Sequence, residues 1–201
     1  MLERGVGADR GALAAAAPAS WRHYDGLVDS GVDHVRAWHA LMTTLLTGAN
    51  VADPEDHAAW LYRENARANL WRKPIPGMVE LARALAQRGA RVGVLSNSEG
   101  RLAELLDEVG MLDAFEVVVD SGRVGLEKPD RRIFDHARDA LGGGSEAIHI
   151  GDSWDADIAG ARNAGWRAIW FGRRATAVSD AGVAIARDAA DTAAVFERWQ
   201  I

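Results

Sequence analysis

Along the first third of the chain the hydrophobic positions recur every three to four residues. Val35, Trp38, Met42 and Leu45 fall on one helical face, and Gly48 is expected to end that helix. Asp53-Pro54-Glu55-Asp56 comes next: a cap, a proline suited to the first helical position and acids for the first turn. It predicts a further helix running through Trp60, Leu61 and Leu70, while Ala12 to Ala17 is an alanine-rich helix former. Trp21, Trp38, Trp60 and Trp71 are expected in core packing rather than in an aromatic binding box.

At Pro74-Ile75-Pro76-Gly77 the period changes. Short apolar runs then alternate with amphipathic helices, the pattern of a parallel α/β sheet. Strands are expected over residues 91–95, 115–119, 147–150 and 166–171. Helices are expected over 78–87, from Leu102 to Val109, over 130–141 and after Ser153, with Gly89, Gly110 and Gly165 as stops. A last helix should start near Asp191-Thr192 and bury Val195, Phe196 and Trp199. The boundary divides a helical unit, 1–73, from an α/β unit, 74–201.

Composition narrows the classes of function. The 201 residues are 48% hydrophobic, enough for one substantial core and a smaller second one. Without cysteine there is no disulfide framework and no thiolate metal site. A net charge of −6 without a basic stripe argues against nucleic acid. No apolar run has the length of a membrane span, and Met1-Leu2-Glu3-Arg4 is not the start of a signal peptide. The expectation is a cytoplasmic protein acting on a small molecule. Of the 23 basic residues only Lys73 and Lys128 are lysines.

Ligands of open parallel sheets bind at the carboxyl ends of the strands. Ser96-Asn97, Lys128, and Asp152 with Asp157 lie at such ends or in the loops beyond. A hydroxyl, an ammonium and two carboxylates meeting there suit a phosphoryl group with a divalent metal. Each has a plainer reading. Ser96 and Asn97 could cap the next helix, and Lys128 could be a solvated loop residue. Asp152 and Asp157 could charge a helix N-terminus, and His149 is read as a strand residue without a role.

Taken in order, Pro76-Gly77, Val94-Leu95-Ser96-Asn97, Gly125-Leu126-Glu127-Lys128-Pro129-Asp130 with Ile133-Phe134, and Gly151-Asp152-Ser153 with Asp157, Gly160-Ala161 and Ala164-Gly165 form one series. It resembles the haloacid-dehalogenase superfamily from about Pro74 to Phe171. The resemblance implies a Rossmann-like parallel core with a helical cap before Pro74. It implies that Ser96 and Asn97 bind phosphate, that Lys128 steadies phosphate and nucleophile, and that Asp152 ligates Mg²⁺. Asp157 would join the metal site or orient its water or the lysine. Gly151-Asp152 favours a magnesium-dependent phosphatase of a small phosphorylated metabolite over a haloacid dehalogenase.

The same resemblance calls for an apolar strand ending in Asp-x-Asp-Gly-Thr, whose first aspartate attacks phosphorus. Tyr24-Asp25-Gly26-Leu27 does not supply it, because an alanine-rich helix former precedes it in place of a strand. The expectation is therefore a core without its central first strand, and a chain inactive by itself. A phosphate-binding module without catalysis is the alternative. Nothing in the sequence fixes the oligomeric state.

Overall fold

The computed structural model describes residues 7–67, 72–144, 146–172 and 175–201. The chain divides into two compact units, Met1–Leu70 and Trp71–Ile201. Among the described residues no helix is long and apolar enough to cross a membrane.

The first unit is helical: α1 (Arg10–Asp29), α2 (His34–Gly48) and α3 (Pro54–Arg67). Asp9 and Asp33 cap the first two, accepting from the Ala12 and Arg36 N–H groups. Leu41, Met42 and Ala58 form one buried cluster, with Trp21, Trp38 and Leu61 packed on it. Leu46, Ala49 and Val51 form another with Ala12 and Leu13. The expected places of Leu70 and Trp71 lie outside the described residues.

α2 ends at Gly48, as expected. Gly48 also lets α2 pack closely on α1, since a Cβ there would meet the Ala16 Cβ at 2.7 Å. The stop comes from Asn50, at φ 55°, with the Val51 N–H returned to Leu46 O. Asp25 sits within α1, not at a strand end.

The second unit begins with α4 (Met78–Gln87), β1 (Gly93–Ser96), α5 (Leu102–Glu108) and a 3-10 turn at Leu112–Ala114. Then come β2 (Val117–Asp120), the single turn α6 (Ser121–Val124), α7 (Arg131–Ala140) and β3 (Ile148–Gly151). A π-helical segment, Trp154–Ala159, runs into α8 (Gly160–Asn163). The unit ends with β4 (Arg167–Phe171), β5 (Val183–Ala186) and α9 (Ala189–Trp199).

All strand pairs are parallel, as the helix–strand alternation requires. They form two ladders: β1 with β2, and β3–β4–β5. No ladder joins β1 to β3 among the described residues.

Helices cover both faces. Successive residues of β4 point to opposite sides. Ala168 and Trp170 belong to the core made with Ile133, Phe134, Ile158 and Ala161 from α7 and the segment 154–163. Ile169 and Phe171 join Val195 and Phe196 of α9 and Leu81 and Leu85 of α4. The first of these cores also takes Leu95, Val117 and Val119, so one apolar layer spans both ladders.

Candidate active site

Ser96 ends β1 and Gly151 ends β3. Lys128, in the loop before α7, reaches both strand ends. Its ammonium donates to Leu95 O at 3.0 Å and to Asp157 Oδ1 at 2.6 Å. Only 10% of the side chain is exposed, so Lys128 is not a solvated loop residue. Two of its N–H groups are thereby committed among the described residues, and an ammonium has a third to offer.

Asn97 fixes the lysine's backbone. Its Nδ2 donates to Lys128 O at 2.9 Å, and the Lys128 N–H donates to Asn97 Oδ1 at 2.8 Å. The carboxamide is thus a clamp between the β1 loop and the lysine loop. Ser96 is half-buried at the strand end. Neither residue caps a helix. α5 starts only at Leu102, and the carboxylate serving its N-terminus is that of Asp120.

Asp120 escaped the sequence reading. It is buried at the end of β2, where Oδ1 accepts the Gly100 N–H at 2.9 Å and the Gly122 N–H at 3.0 Å. Oδ2 accepts the Leu102 N–H at 2.8 Å, so one carboxylate holds the whole loop after Ser96. Burial pushes this carboxyl up, but the hydrogen bonds from Leu102, Ser98, Gly122 and Gly100 outweigh it and hold it below the usual range. An acid closing the apolar run Val117-Val118-Val119 was the available signal.

Asp157 is also buried and shares its oxygens three ways. Besides Lys128, Oδ1 accepts from His149 Nε2 at 3.0 Å, and Oδ2 accepts the Ser153 N–H at 3.0 Å. Burial alone would raise its carboxyl, but the His149 N–H and the Lys128 ammonium hold it far below the ordinary value. Burial drives the His149 imidazole down, so the ring is neutral. An ionised carboxylate only accepts, so Nε2 carries the proton. His149, given no role by the sequence reading, is a donor at the site.

These contacts occupy three of the about four acceptor positions of a carboxylate, which leaves little room for a metal at Asp157. Asp152 differs. It is exposed just beyond β3, and the cap of the following segment is Ser153, whose hydroxyl accepts from the Ala156 N–H at 3.2 Å. Asp152 is therefore not spent as that cap. Among the described residues no three His, Asp or Glu side chains converge as a metal cage.

Two glycines make the geometry possible. A Cβ on Gly151 would stand 2.2 Å from the Asp157 carboxyl carbon, and one on Gly160 would stand 2.8 Å from Phe134 Cε2 and 3.1 Å from Pro129 Cα. Gly151 lets Asp157 fold back over the strand end. Gly160 lets the lysine loop lie against the helix.

Among curated proteins the chain is 35% identical over 101 residues to the pyrimidine 5′-nucleotidase YjjG of Escherichia coli, covering 49% of this chain and 44% of that protein. It is 37% identical over 114 residues to a phosphoserine phosphatase of Thermus thermophilus, covering 56% and 44%. The matched segments thus span less than half of either relative's length. Among solved structures, YfnB of Bacillus subtilis, described as a HAD-hydrolase bound to magnesium, superposes with a TM-score of 0.68 at 17% identity, covering 99% of this chain and 87% of that one. A HAD phosphatase from Thermococcus onnurineus gives 0.58 at 18% identity, covering 87% and 86%. At these identities the two structures speak for the fold. The family model of haloacid dehalogenase-like hydrolases matches residues 8–165, and the chain belongs to that family.

Proposed function

We propose that this chain carries the phosphate-gripping and metal-holding part of a phosphomonoester hydrolase that acts on a small phosphorylated metabolite with Mg²⁺. The observation that carries the reading is Lys128, a buried ammonium fixed between Leu95 O and Asp157 at the carboxyl ends of β1 and β3. A cation held in place beforehand stabilises phosphoryl charge without reorganising. In this reading the Ser96 hydroxyl and the loop of Ser96 and Asn97 take phosphate oxygens, and Lys128 offsets their charge. Asp157 acts as the positioning carboxylate of Lys128, steadied by His149. The nucleotidase and phosphatase relatives support a phosphomonoester as substrate.

Mg²⁺ takes one or two carboxylates and completes its shell with phosphate oxygens and water. Asp152, exposed just beyond β3, is the carboxylate assigned to that need. When bound, the ion would neutralise charge on the phosphoryl group.

Among the described residues the two buried carboxylates at the strand ends do not supply the attacking group. Asp120 and Asp157 have their oxygens engaged by N–H groups, so neither is available to attack phosphorus. We infer that an aspartate reaches the site on a strand between β1 and β3, whose facing edges lack a ladder partner among the described residues. Its oxygen would bond to phosphorus as the bond from phosphorus to the ester oxygen breaks and the departing alcohol takes a proton, and water would then hydrolyse the aspartyl phosphate to phosphate and the free carboxylate. That both buried carboxylates are engaged supports a second reading, a phosphate-binding module.

Hydrolysis of a generic phosphomonoester with Mg²⁺ tests this, using the chain as it stands and a version that also carries an Asp-x-Asp strand. The expected result is turnover only in the longer protein, reduced about 100-fold or more by Lys128→Ala or Asp152→Asn. Binding of phosphate without turnover in both would favour the module. Metal-dependent turnover by the chain alone would overturn the argument about the nucleophile.

A further inference from the structure

Trp154 lies two residues beyond Asp152 and is 40% exposed, one of a few large apolar side chains left open among the described residues. It faces Trp170 near the end of β4, with ring centroids 4.8 Å apart and planes inclined at 55°. The Trp170 indole N–H donates to the Asp152 carbonyl at 3.1 Å, which ties the aromatic pair to the backbone of the acidic loop. Trp170 also packs on the core shared by the two ladders, so it is the fixed member. The indole pair thus offers an open ring face tied to the acidic loop.

We propose that Trp154, backed by Trp170, is a stacking shelf for a planar ring on the phosphorylated substrate, which makes that substrate a nucleoside monophosphate. The proposal rests on the phosphomonoester reading above. Position supports it. Lys128 bridges the ends of β1 and β3, and Trp170 lies on β4, the next strand out. Asp152 and Trp154 are two residues apart, a separation of at most about 7.6 Å between Cα atoms. From the space beside β3 to β4 is about two strand spacings, roughly 10 Å. That is the reach of a ribosyl unit between phosphate and base. Two inclined indoles offer flat π-surface, which a base fills better than a branched aliphatic group. Base–aromatic stacking tolerates any base, so the shelf selects nucleotides from other phosphomonoesters without naming the base.

Calorimetry with Mg²⁺ on the chain as it exists tests the shelf, using inorganic phosphate, ribose 5-phosphate, uridine and UMP as probes. UMP is expected to bind roughly ten-fold or more tightly than ribose 5-phosphate. Trp154→Ala should bring UMP down to the affinity of ribose 5-phosphate, and Trp154→Phe should keep part of the gain. With Trp154 partly exposed, the alanine variant should keep the melting temperature of the parent, which circular dichroism checks. If phosphate and ribose 5-phosphate bind through Lys128 but UMP gains nothing, the shelf is overturned and the phosphate reading stands. If uridine binds through Trp154 while no probe depends on Lys128, the shelf stands and the phosphate reading falls. If UMP and uridine both ignore Trp154→Ala, the shelf is overturned.

Discussion

A Cβ on Gly151 would stand 2.2 Å from the Asp157 carboxyl carbon, so the glycine before Asp152 and the acid five residues after it are a matched pair. Asp157 in turn is held by Lys128 and His149 together. Replacing His149 with Phe keeps a ring beside Phe134 but removes the donor to Oδ1. That should cost about 1–3 kcal/mol of stability and weaken phosphate binding, and His149→Gln, which keeps an N–H, should restore much of both. Denaturant titration and phosphate calorimetry on the two variants check this; equal losses in Phe and Gln would mean that the ring and not its N–H matters. Asp120 gives a pH dependence. Its carboxyl is depressed in the folded chain, so the stability it adds is present above the unfolded value of about 3.9 and is lost as pH falls through the folded value. Asp120→Asn should therefore lower stability at neutral pH, with the gap from the parent closing at acid pH. Urea titrations at pH 7 and pH 3 measure it, and a gap that widens in acid would contradict the assignment. Ser96, Lys128, Asp152 and Asp157 were legible because they sit in a recognisable series. His149 and Asp120 were not, since the partners that give them their place, Asp157, Gly100 and Leu102, lie 8 to 20 residues away and no local pattern records such bonds.

The helices were the most legible elements. α4 covers the expected Met78–Gln87, and Gly89, Gly110 and Gly165 all have positive φ at the expected stops. Strand starts were less so. β1 begins at Gly93 rather than Arg91, although the Arg91–Glu116 ion pair and the Glu116 N–H bond to Val92 O carry the contact between the two segments one step further back. β2 begins at Val117 because Leu112–Ala114 forms a 3-10 turn just before it. β5, the short run Val183-Ala184-Ile185-Ala186, was not expected; it forms where β4 offers a free edge, which is tertiary information. The motif glycines were read as family marks, and packing supplies their cause. Gly160→Ala would force a methyl against Phe134 and Pro129 and should destabilise by about 1–3 kcal/mol. Gly26→Ala, in α1 with nothing within 4 Å of the added methyl, should instead be neutral or stabilise by up to about 1 kcal/mol. Chemical denaturation of both variants compares them directly, and a loss at Gly26 as large as at Gly160 would show that crowding is not the cause.

In the α/β unit of the molecule two ladders share one apolar layer, and Lys128 is the polar tie between them. A ligand that bridges the same strand ends should act on the stability of that whole unit, because anything binding only the folded chain raises its melting temperature by mass action. Phosphate alone would meet Lys128 and the Ser96 loop, and Mg²⁺ alone would meet little more than Asp152. Together they complete each other's shells, so each should raise the other's affinity by the same factor. The expected outcome is a small rise in melting temperature with either one at millimolar concentration and a larger, more than additive rise with both. Asp152→Asn should abolish the excess while leaving the phosphate effect, and Lys128→Ala should remove the phosphate effect itself. Thermal melts read by circular dichroism across a matrix of the two ligands measure the coupling. Additive shifts, or an excess that survives Asp152→Asn, would take the metal away from Asp152 and leave the lysine site as an anion site alone.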